Sequence, residues 1–182
     1  MNNLSDNERH KRRERRTQAT LWWLLAASWA STIFYLSTDA FSGEFTVWLL
    51  RLILSLLHAT VSPRTFDVLH FLLRKCAHMA EYAIFCLLLY RCLVGSGAIA
   101  WRGRRALWAI LIAGLYSLTD EFHQSFELTR TASLVDCGID TVGAALGMAF
   151  LYVLDRWIQA RSSMSEARAE SPAEIMKGVA GE

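Results

Sequence analysis

The chain has 182 residues, 53% of them hydrophobic and seven of them tryptophan, and its mean hydropathy is +0.24 despite polar ends. That is about one domain's worth of sequence, and its composition excludes a disordered chain, a collagen-like repeat and a disulfide-rich secreted module. The net charge of +2 is too small to suggest nucleic acid, and the bases are unevenly spread, with six of the 19 between Arg9 and Arg16.

Residues 1–18 are polar and basic, and they read as a largely unfolded cytoplasmic tail on a membrane surface. The first apolar run, residues 19–37, carries Trp22, Trp23 and Tyr35 near its ends. As a helix it is long enough for the roughly 30 Å hydrocarbon core. It is too long for a typical signal peptide and lacks a clear cleavage site, so a retained span is expected. Residues 47–58 follow a polar break and contain Arg51. They would reach only about 16 Å, so an interfacial or re-entrant helix is expected there, ended by Pro63. A second span covers residues 68–94, and a glycine- and arginine-bearing turn separates it from a third, residues 106–124. A short loop with Glu127 and Arg130 leads to the fourth, residues 133–154, and residues 156–182 read as a flexible cytoplasmic tail.

The expected fold is therefore an all-α integral membrane protein with four transmembrane helices and a short helix after the first. Its transmembrane domain is residues 19–155. Placing both termini in the cytoplasm leaves only Arg51, Arg64, Arg74, Lys75 and Arg130 outside, as the excess of bases on the inner side requires. A bacterial cytoplasmic (inner) membrane location is expected. Cys76, Cys86, Cys92 and Cys137 form no CxxC pair and lie in or beside apolar runs, so they read as small buried hydrophobes.

In this topology the polar ends of the last three spans all lie toward the external face. At helical spacing Lys75, His78, Glu81 and Tyr82 share one sector of about 120°. Asp120 shares a face with Tyr116, Ser117, His123 and Gln124, while Glu121 lies to one side. On the last span Ser133, Asp136, Asp140, Gly143 and Gly147 form one stripe, with carboxyls at the outer end and a G-x3-G groove deeper in the membrane. Small residues let another helix approach closely in lipid. Each polar residue alone has an ordinary reading as a snorkelling base, a satisfied histidine or a helix cap. Three aligned polar faces at one level point instead to a shared cavity.

These motifs resemble the VanZ-like family of small bacterial membrane proteins, named for an accessory determinant of glycopeptide (teicoplanin) resistance. The matching residues are Arg74, Lys75, His78, Glu81 and Tyr82, then Asp120, Glu121, His123, Gln124 and Phe126. They continue with Arg130, Ser133, Asp136, Asp140, Gly143 and Gly147. The loop before the arginine often reads Pro-Gly in the family and is Leu128-Thr129 here. The resemblance implies a multi-pass envelope protein that affects tolerance to envelope-directed antibiotics, but it supplies no reaction.

The candidate catalytic residues are His78, Glu81, Asp120, Glu121, His123 and Asp136. Five carboxyls, including Asp140, cannot all stay charged cheaply at low dielectric, so some must be protonated or paired with Lys75 and Arg130. A neutral carboxyl beside a histidine would suit general acid/base hydrolysis or group transfer. No nucleophile motif supports it, and whether the protein is an enzyme stays open. Lys75, Tyr82, Gln124, Arg130, Ser133 and Asp140 are the candidate binding residues for a membrane lipid or lipid-linked envelope precursor. Arg130 and Lys75 are expected to neutralise Asp120, Asp136 or Asp140. His78, His123, Asp120 and Asp136 are of types that suit zinc or manganese, but no cofactor is expected because both histidines have stronger hydrogen-bond candidates nearby. A third possibility is a helix bundle held together by a polar network without turnover.

Overall fold

The computed structural model describes residues 2–37, 44–95, 101–125 and 133–179, with side chains placed between residues 6 and 164. It contains five helices among these residues and no strand: α1 (Asn2–Leu36), α2 (Glu44–Leu56), α3 (Pro63–Val94), α4 (Gly103–Gln124) and α5 (Leu134–Val179). Three stretches are long and apolar enough to cross a membrane, Asp6–Leu36, Pro63–Val94 and Leu134–Met164. The shorter α2 is apolar but has only 13 residues. The 22 residues of α4 would reach about 33 Å. They begin on arginines and end on Asp120, Glu121, His123 and Gln124, which lowers the apolar character of the whole helix.

Several helices run past the limits expected from hydropathy. Helix α1 begins at Asn2, and its basic segment is helical because Arg, Lys, Glu and Gln are good helix formers and no Gly or Pro interrupts it. Helix α5 likewise continues to Val179, through most of the segment expected as a flexible tail. Helix α3 starts five residues earlier than expected. Pro63 opens its first turn, and Ser62 caps it by accepting the Thr65 backbone N–H at 3.2 Å. The chain leaves α2 two residues before His58, whose φ of 51° turns the backbone.

The long helices alternate in direction. Trp22 on α1 lies under Arg91 near the end of α3, whereas Trp29 donates to the Glu81 carbonyl at 3.0 Å. Thus α1 and α3 are antiparallel. Further along α1, Tyr116 of α4 donates to the Ala30 carbonyl at 2.7 Å, and His123 lies against Phe34 with ring centroids 4.1 Å apart. Thus α4 runs with α1, and α5 runs with α3. Helix α2 packs on the first part of α3, where Thr46 and His70 are 2.8 Å apart and the Arg51 guanidinium lies over Phe66.

The α3–α5 contact uses the small-residue stripe. A Cβ at Gly143 would lie 2.6 Å from Met79 Cα, and one at Gly147 would lie 3.1 Å from Ala83 Cα. Both glycines admit the α3 backbone where a side chain would block it. Ala106, Ala109 and Ala113 give α4 a similarly thin buried face, and Tyr82, Phe85, Cys86, Leu89, Tyr90, Ala144 and Met148 fill the space between helices. Cys92 and Cys137 are also buried, but Cys76 is exposed, because it lies one helical step from Lys75 on the outward side of α3.

Candidate functional site

The parallel packing of α3 and α5 brings their polar residues together turn by turn. Lys75 Nζ lies 2.5 Å from Asp136 Oδ1, and one turn deeper His78 Nδ1 lies 3.7 Å from Asp140 Oδ1. The glycine contacts at Met79 and Ala83 come next along the same pair of helices. The tight glycine seam thus sets the depth at which the charged residues meet.

Helix α4 reaches the same level from the opposite direction. Ser117 donates to Asp140 Oδ2 at 2.9 Å. One turn further is Asp120, whose Oδ2 accepts from Gln124 at 3.2 Å; Gln124 also donates to Ser37 Oγ at 3.4 Å, which ties the end of α1 to the group. Glu121 Oε2 accepts the Ser133 backbone N–H at 2.7 Å and so holds the start of α5. Asp120 and Asp140 are 2% and 1% exposed, and Glu121 and Gln124 are also buried. The Tyr82 ring is enclosed by Phe85 and Tyr116, and its hydroxyl lies beside Ser117.

His123 faces α1 through Phe34, away from this centre, and the Glu81 backbone carbonyl accepts from Trp29 where α3 meets α1. His78 contacts Asp140, His123 contacts Phe34, Asp120 accepts from Gln124, and Asp136 pairs with Lys75. Among the described residues no three His, Cys, Asp or Glu side chains gather as a metal shell. Phe126, Arg130 and the loop between them lie outside the described residues, so the expected Arg130 contacts do as well.

A family model described as VanZ/LLP1 matches residues 22–155. The chain belongs to the VanZ-like family. No curated protein and no solved structure matches it. The VanZ-like match covers all of α2, α3 and α4, the site residues on α5, and α1 from Trp22 onward. The helical extensions before Trp22 and after Asp155 lie outside it.

Sequence reasoning placed Ser117 on the right face of α4 but gave it no role, and it missed Ser37 and Trp29. A serine one turn before Asp120 within an apolar run was the available signal for Ser117. Nothing local marks Ser37 or Trp29, because each acts through a partner far away in sequence.

Proposed function

We propose that this VanZ-like protein crosses the cytoplasmic membrane four times and uses the polar cluster at its external end to bind an envelope amphiphile. The observation that carries the reading is the convergence of Lys75 and His78 from α3, Ser117 and Asp120 from α4, and Asp136 and Asp140 from α5 over adjacent helical turns at one end of the bundle. Ionisable groups inside a membrane domain are costly and usually mark a binding or transport path. The fourth crossing is supported by chain direction. Helices α3 and α5 are parallel, so the chain must return between them, and α4 is long enough to make that return. The excess of bases at the opposite end supports cytoplasmic termini.

Hydrolysis by a serine nucleophile has no support in the hydrogen bonds, whereas acid/base hydrolysis through His78 and Asp140 is the second reading. The Ser117 hydroxyl donates to a carboxylate, so the serine proton is directed at Asp140 and an imidazole is not taking it. The expected ligand is a membrane lipid or lipid-linked envelope precursor, and the expected phenotype is increased tolerance to glycopeptides. Expression of wild-type, Asp140→Asn and Lys75→Met chains in a glycopeptide-sensitive bacterium tests this. The inhibitory teicoplanin concentration should rise with the wild type and return to the host value with the variants, at equal membrane levels and melting temperatures. No rise with the wild type removes the tolerance reading. Loss of the folded variants would instead make the network a structural element.

A further inference from the structure

The end of the bundle opposite the carboxylate cluster carries a second concentration of charge. Arg102, Arg104, Arg105 and Trp108 line a surface hollow of about 500 Å3 at the start of α4. Arg105 is held by its bond to the Leu93 carbonyl, whereas the Arg102 and Arg104 side chains are exposed. No carboxylate stands in the first turn of α4, and none occurs anywhere from Gly95 to Leu118 in the sequence.

The hollow continues into an apolar strip. Trp108, Leu111, Leu115 and Leu118 are all exposed and follow one another at helical spacing along the outer flank of α4. A soluble anion would have no use for that strip, whereas an amphiphile would place its head on the guanidiniums and its chains along the leucines. The same end of the bundle carries further arginine–aromatic pairs: Arg91 lies over Trp22, Arg156 over Tyr152 and Arg161 over Trp157. Tryptophan and tyrosine favour this depth because their rings are apolar and their edges polar.

We propose that Arg102 and Arg104, with Trp108 and the leucine strip below it, form a binding site for the phosphate group and chains of an anionic membrane lipid. Guanidinium forks match phosphate oxygens bidentately, and the neighbouring apolar strip selects a lipid over free phosphate. The site is separate from the external cluster and does not depend on the function proposed for it.

The test uses the full chain in detergent, with melting temperature followed during titration of phosphatidylglycerol, phosphatidylcholine or inorganic phosphate. Phosphatidylglycerol should raise the melting temperature saturably, and phosphatidylcholine and inorganic phosphate should not. The double variant Arg102→Gln with Arg104→Gln should weaken the phosphatidylglycerol response at least about tenfold in half-saturating concentration. Arg51→Gln with Arg64→Gln removes the same charge at the other end and should leave that response unchanged. An equal response to phosphatidylcholine, an equal loss in both double variants, or no loss in either would overturn the proposal. A response to inorganic phosphate as large as that to phosphatidylglycerol would overturn the lipid as its source.

Discussion

The Lys75 and Asp136 side chains are 21% and 26% exposed, so their ion pair is neither a surface pair nor a fully desolvated one. A surface pair is worth about 0.2–1 kcal/mol, and breaking a buried one costs about 3–5 kcal/mol. Lys75→Met should fall between, at roughly 1–3 kcal/mol, because Asp136 is left uncompensated at partial burial. Replacing both residues with apolar ones should recover most of that loss, as read by a double-mutant cycle on unfolding in detergent. A purely additive cycle would mean the pair contributes no coupling. Ser117 differs in kind, since its hydroxyl is a neutral donor buried against Asp140. Ser117→Ala should cost about 1–3 kcal/mol by leaving that carboxyl short of a donor. Unchanged unfolding of Ser117→Ala would show that the bond carries no stability.

The seam between α3 and α5 orders three glycines by the space each has. A Cβ at Gly143 would meet the Met79 backbone with its Cα at 2.6 Å, one at Gly147 would meet the Ala83 carbonyl oxygen at 2.9 Å, and one at Gly138 meets nothing within 4 Å. Alanine should therefore be most damaging at position 143, by about 1–3 kcal/mol of overpacking, and less so at 147. At 138 it should be neutral or stabilising by roughly 0.5–1 kcal/mol, since alanine is the better helix former. Melting of the three variants in detergent checks the order, and a Gly143→Ala protein as stable as wild type would remove the close α3–α5 contact. The G-x3-G spacing was legible in the sequence, but its partner was not. Four residues apart on one face says only that a helix can approach, and the choice of α3 at Met79 and Ala83 depends on how the whole bundle closes. The helices α1 and α5 extend beyond their apolar stretches for a related reason. Hydropathy marks where an apolar stretch stops, whereas a polar segment free of Gly and Pro, such as the start of α1, can still continue the helix.

At the scale of the molecule, antiparallel α1 and α3 place the chain segment around Ala59 and the start of α4 at opposite ends of the bundle. In a chain stripped of its four cysteines, a single cysteine at exposed Ala59 should react with an impermeant thiol reagent added to intact cells. One at exposed Gly103 should react only after the membrane is opened. The reverse labelling would place the carboxylate cluster on the cytoplasmic side and remove the external site, while leaving the packing described above intact.

By itself the sequence determined the membrane class, the short second helix and the faces on which Lys75, His78, Asp120, Asp136, Asp140 and the two glycines lie. These follow from run length and a 3.6-residue period, which are properties of a single helix. It also carried the VanZ-like motifs, because those are ordered spacings along one chain. Only the tertiary structure decided which carboxyl each donor meets. Lys75 goes to Asp136 and Ser117 to Asp140, and Gln124 joins Asp120 to Ser37. Those choices depend on the axial register between helices, and a single helix contains no information about its offset from a neighbour. Here the offset is set by how closely Gly143 and Gly147 admit the α3 backbone.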